Sequence, residues 1–138
     1  MDHDIALHGA AQAAAFWTAL CLLFLLVMSL LVVRQRQKHH VVFGDNSDIP
    51  ELSQAIRAFG NAAEYLPAGL AGLIALAVVS SPPLAIHIAG ALLFSGRVSH
   101  GVGLSLTGGP SMLRTAGMLL TWTAYIFAAV ALLIFAVT

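Results

Sequence analysis

Arg57, Asn61 and Glu64 stand at i, i+4 and i+7 in the stretch 55-AIRAFGNAAEYLPAG-69, and that spacing puts a cation, an amide and an anion on one helical face. A second polar set follows in 94-FSGRVSHG-101, where Arg97 and His100 are separated by one helical turn. Arg114 with Thr115 forms a third. Only Glu64 offsets these cations at the same depth, so a pocket built from them is net positive. Its natural guest is an anion that tolerates apolar neighbours. Arginines suit carboxylates because the planar guanidinium binds both oxygens at once. A self-contained alternative is an Arg–Glu pair satisfied within the protein, with Asn61 tying two helices together.

No metal is expected. His100 has no second His or Cys at ligand spacing, and the arginines would repel a metal ion. Heme is disfavoured because His87 and His100 are separated by roughly 20 Å along one helix. His39 and His40 read as solvated loop residues, His87 as a donor near a membrane interface, and Cys21 as a small buried hydrophobe. Trp17 and Trp122 either mark interface depth or pack.

The elements that must hold these residues are apolar. Of 138 residues 59% are hydrophobic and only 9% charged, against about 25% charged in a soluble domain. The chain therefore reads as an all-α integral membrane protein, and its zero net charge gives no basic surface for nucleic acid. Residues 9–33 carry no charge and exceed the ~20 residues that a span needs. The acidic start MDHDIALH and the length of that run argue against a signal peptide. Ser80-Ser81-Pro82-Pro83 divides the next apolar stretch in two, and TGGP at 107–110 precedes the last. The expectation is a single domain, a four-helix bundle with spans at about 9–33, 51–80, 83–106 and 111–137. Pro50 is expected in the first turn of the second span with Asp48 as its cap, and Pro67 should kink that span.

Threading the chain through four spans puts Arg34, Arg36, Lys38, Arg57, Arg97 and Arg114 on one side, and Asp2 and Asp4 on the other. The positive-inside rule makes the first side cytoplasmic, so both termini are expected in the periplasm. Arg57 and Arg97 fit a pure topology signal less well, because they lie inside helical segments. An ionisable group at membrane depth costs about 3 kcal/mol on insertion scales and is a functional candidate by default.

The pattern RxxxNxxEYxP over 57–67, then RVSH at 97–100 and RTAGM at 114–118, resembles the MAPEG family, the membrane-associated proteins in eicosanoid and glutathione metabolism. The resemblance covers nearly the whole chain, and 42–61 is especially similar to small bacterial members, which implies a bacterial inner-membrane location. It implies a homotrimer that binds glutathione as co-substrate between subunits, at the cytoplasmic end. Arg57, Asn61 and Glu64 would hold the tripeptide's charged ends, with Arg97, His100 and one of Arg34 or Arg36 adding contacts. Arg114 would face the thiol, with Thr115 beside it as a hydroxyl donor. The implied activity is a glutathione transferase or peroxidase acting on lipophilic electrophiles or hydroperoxides that arrive from the bilayer.

The chain departs from catalytic relatives at Gly60, Leu104 and Met118, where an arginine and two tyrosines stand in some members. Those departures keep open a non-catalytic membrane protein that binds glutathione or lipid.

Overall fold

Helix boundaries follow the punctuation of the sequence. A computed structural model describes residues 2–44 and 48–137, and builds helices α1 (Asp2–Lys38), α2 (Pro50–Val78), α3 (Pro83–Leu106) and α4 (Met112–Val137). Helix α1 overruns its apolar stretch at both ends; at the second, residues 34–38 are good helix formers and no Gly or Pro intervenes. It stops where His40 turns left-handed, at φ 56°. The His40 amide donates to the Gln37 carbonyl and the Val41 amide to the Arg36 carbonyl, which satisfies two end carbonyls of the helix. Helix α2 ends in the same way. Ser80 has φ 55°, and the amides of Ser80 and Ser81 donate to Ala77 and Leu76. Pro82 and Pro83 then open α3. The span expected to reach residue 80 therefore ends at Val78.

At the start of α2 the cap is Ile49, with no side-chain hydrogen bond, rather than Asp48. Pro50 occupies the first helical position, where its missing N–H costs nothing and its fixed φ starts the helix. Helix α2 runs continuously through Pro67. Ser111 caps α4, accepting a hydrogen bond from the Arg114 amide at 3.3 Å.

Side-chain contacts give the directions. Trp17 meets His87 and Gly90, and Phe24 and Met28 meet Gly101, so α1 and α3 run parallel. Asn61 meets Arg97 and Gly69 meets Leu93, so α2 and α3 are antiparallel. Gly96 meets Thr121 and Gly103 meets Arg114, so α3 and α4 are antiparallel too. All six cations fall toward the end of the bundle that holds the connections 39–49 and 107–111. This is called the connection end below. Asp2 and Asp4 belong to α1, but their side chains lie outside the described residues, as do Asp45, Asn46 and Ser47 of the first connection.

Helix α3 packs against α1, α2 and α4, whereas α1 and α4 do not touch one another among the described residues. The outer helices expose leucines and other apolar side chains, such as Leu22, Leu26 and Leu30 on α1 and Ile126, Val130 and Leu133 on α4. Three helices, over Leu7–Lys38, Pro50–Val78 and Met112–Val137, are long and apolar enough to cross a membrane. Helix α3 has 24 residues, roughly 36 Å of rise, but its buried Arg97 and His100 lower its hydropathy. A helix enclosed by three others need not be apolar on every side.

Helices α3 and α4 meet glycine on glycine. A Cβ at Gly117 would lie 2.5 Å from the His100 amide nitrogen and 2.6 Å from the Gly96 carbonyl oxygen, both backbone atoms that cannot rotate away. Gly117→Ala should therefore destabilise the protein by about 1–3 kcal/mol in thermal unfolding in detergent. Gly60→Ala, at a helical position with no atom within 4 Å, should leave the midpoint unchanged or raise it slightly.

Candidate functional site

Arg97 is 1% exposed and is spent on the protein itself. Its Nε donates to Thr121 Oγ1 at 2.9 Å and its Nη1 to Asn61 Oδ1 at 2.7 Å. Its Nη2 reaches the Gly117 carbonyl at 3.4 Å and Met118 Sδ at 3.3 Å. The guanidinium carbon lies 4.8 Å from the centre of the Tyr65 ring, a cation–π distance. The Tyr125 hydroxyl donates to the Tyr65 carbonyl, and the Thr121 hydroxyl donates to the Gly117 carbonyl at 2.8 Å. One side chain on α3 thus ties α2 to α4 at the level where Gly96 and Gly117 bring the backbones together.

The expected face of α2 is divided by this arrangement. Asn61 is half-buried and turned to Arg97, whereas Arg57 and Glu64 are exposed. Glu64 is not among the partners of Arg97. The tie between helices that Asn61 was considered for is an amide–guanidinium bond to Arg97.

His100 is 7% exposed, and its Nδ1 lies 3.0 Å from the Arg114 carbonyl. A carbonyl oxygen can only accept, so Nδ1 carries the proton and Nε2 is left with a lone pair. Arg114 itself is half-buried and donates from Nη1 to the Gly109 carbonyl at 2.6 Å. Gly103 makes room for it, since a Cβ there would sit 2.8 Å from Arg114 Cγ.

Arg114 lines two grooves at the connection end. The first, about 370 Å³, is polar and is shared with Arg57, Ser53, Gln54 and Thr107, with Leu104 as an apolar patch. The second, about 500 Å³, brings His100, Ser111 and Thr115 together with Met118, Leu119 and Trp122. Thr115 Oγ1 donates back to the Ser111 carbonyl at 3.3 Å. Trp122 is 51% exposed, so it neither packs in the core nor is covered by the chain.

Arg34 and Arg36 are not brought to either groove. Arg34 is exposed, and Arg36 lines a separate recess with Gln37, His40 and Val42. At the far end of the bundle Trp17 Nε1 donates to His87 Nδ1 at 3.1 Å, so this nitrogen of the expected donor is an acceptor.

Tyr65, Thr121, Met118 and Gly117 belong to the polar centre, although spacing alone did not single them out. A signal for them does exist. Thr121 and Tyr125 follow Arg114 at i+7 and i+11 on one stripe of α4, and Gly117 lies on the same stripe.

A helical integral membrane protein with its cations gathered at one end and grooves opening around a shared arginine is the class that fold and site define. The chain belongs to the MAPEG family, whose model matches residues 14–134. It is 33% identical over 113 residues to the inner membrane protein YecN of Escherichia coli strain K12, an alignment covering 82% of this chain and 84% of that protein. The same figures hold for YecN of Escherichia coli O6:H1.

Because Arg97 makes charge-assisted bonds within the protein, Arg97→Lys should lower the unliganded protein's stability by about 2 kcal/mol or more, since an ammonium cannot reproduce the fork. Arg57→Lys, at an exposed position, should stay within about 0.5 kcal/mol. Thermal unfolding without ligand checks both.

Proposed function

We propose that this protein is a glutathione-dependent transferase or peroxidase of the bacterial inner membrane, acting as a homotrimer on lipophilic electrophiles or hydroperoxides. The observation that carries this reading is the position of Arg114 between a polar and an amphipathic groove. The polar groove suits a small peptide with two carboxylates, and Arg57 offers a guanidinium to one of them. The second groove has an apolar wall of Met118, Leu119 and Trp122 beside His100 and Thr115, which suits a lipophilic partner with a polar reacting centre. Arg114 then acts on the thiol between them. A free thiol has a pKa near 8.5, and a neighbouring guanidinium favours the thiolate. The thiolate attacks an electrophilic carbon and displaces a leaving group. With a hydroperoxide it attacks the outer oxygen, an S–O bond forms as the O–O bond breaks, and the alkoxide leaves as an alcohol after taking a proton; a second glutathione then reduces the sulfenic acid to disulfide and water. Thr115 donates to the group that leaves.

Glu64 supports the trimer. It lies about 21 Å along α2 from the helix start, and it is exposed on a face shared with Ala68 and Ala71. A carboxylate at membrane depth faces protein or water rather than lipid. A second copy packed on these small residues would cover it and would hand it the tripeptide's amine. The positive-inside rule, applied to the connection end, puts the grooves in the cytoplasm and both termini in the periplasm.

Leu104 favours a second reading. It lines the polar groove where tyrosine stands in catalytic relatives, so the protein would bind glutathione or a lipid without turnover.

The test is turnover by purified protein with glutathione and a chlorinated dinitroaromatic, then with a lipid hydroperoxide. Saturable activity that falls at least about 100-fold in Arg114→Ala is expected. Glutathione binding without turnover of either substrate class supports the second reading instead.

A further inference from the structure

We infer that His100 is the base that receives the thiol proton, an inference resting on the glutathione-dependent reading above. Its tautomer is fixed by structure. Nδ1–H is held by the Arg114 carbonyl at 3.0 Å, so the basic nitrogen is Nε2, and His100 lines the same groove as the Arg114 and Thr115 side chains. The arrangement has the parts of a base held by a third group: an imidazole, an acceptor orienting its far nitrogen, and a groove in which the acid can sit.

Neighbouring charge decides when the base loads. Arg97 lies one turn earlier on α3, and Arg114 is on α4. Helix α1 presents Phe24 and Met28 to the adjacent Gly101, and α2 presents Asn61 to Arg97. A lone proton on His100 would add a third cation to this cluster. Proton transfer from a bound thiol does not, because the thiolate formed in the same step leaves the net charge of the site unchanged. The imidazole therefore rests neutral and takes its proton with the thiol.

The balance is simple. The S–H bond breaks, the proton goes to Nε2, and its electron pair stays on sulfur. Thiolate forms a C–S bond to the substrate carbon, the C–Cl bond breaks, and chloride leaves with its electrons. His100 then gives its proton to water.

His100→Asn tests this, because the asparagine amide can still donate to the Arg114 carbonyl in place of Nδ1–H while Nε2 is removed. With the chlorinated dinitroaromatic, kcat should fall about 100-fold, KM for glutathione should change less than about threefold, and the residual rate should climb with pH as free thiolate does. A kcat within about threefold of wild type, with an unaltered pH profile, overturns the assignment and leaves the transferase reading standing. Wild-type protein also gives an answer independent of turnover and of the variant's folding. Glutathione binding, followed by far-ultraviolet thiolate absorbance and by calorimetry in buffers of differing ionisation enthalpy, should show thiolate formed with little proton released. Thiolate formed with a full proton released overturns the base. Thiolate formed with its proton retained but without any turnover overturns the transferase reading and supports the base, binding without thiolate overturns the base, and no glutathione binding overturns both.

Discussion

A guanidinium buried among helices, with no carboxylate partner among the described residues, is the constraint on which the polar end of this bundle depends. Breaking a buried charge's contacts is costly because nothing else solvates it. Arg97 is tolerable only because its donors reach acceptors on two other helices, Asn61 on α2 and Thr121, Gly117 and Met118 on α4, with the Tyr65 ring face beneath it. Those distances require α3 and α4 to approach to backbone contact, which Gly96 and Gly117 permit. The same contact brings His100 against the start of α4 and sets the Arg114 carbonyl within its reach. Structural arginine, glycine seam and candidate chemistry are therefore one unit. The two functional roles of arginine are divided between residues: Arg97 holds the frame, while Arg57 and Arg114 line the groove.

The division of labour among helices follows from solvent. Helices α1 and α4 present leucines and other apolar side chains outward, as a bilayer requires, and do not touch each other among the described residues. Helix α3 touches all three others and can carry Arg97 and His100 without exposing them to lipid. Its lower hydropathy is the cost of carrying the polar centre. Helix α2 has both characters, with Leu52, Leu66 and Leu73 in the core and Arg57 and Glu64 on its exposed side.

Much of this was legible in the residues. The Ser-Ser-Pro-Pro and TGGP stretches mark two of the three connections, and the segregated arginines mark the end where the grooves open. The helical period placed Arg57, Asn61 and Glu64 on one face, as it must, but a face is wide. Asn61 lies at the edge that meets α3, whereas Arg57 and Glu64 lie at the exposed edge, where Arg57 lines the polar groove. Period alone cannot say which edge a neighbour covers. Asp48 looked like a cap because its side chain suits the role, yet Pro50 fixes the first helical residue and leaves Asp48 one position too early. The α4 partners of Arg97 were missed because their contacts run between helices, 20 to 24 residues apart in sequence, where no local pattern records them.

The central claim is that the groove shared by Arg57 and Arg114 holds a small anionic thiol peptide. Calorimetric titration of glutathione into detergent-purified wild type and Arg57→Ala tests it most directly. Saturable binding in the micromolar-to-millimolar range, lost in the variant while its unfolding midpoint is retained, is the predicted result. A folded wild-type protein that takes up no glutathione, or a variant that binds it equally well, would contradict the account.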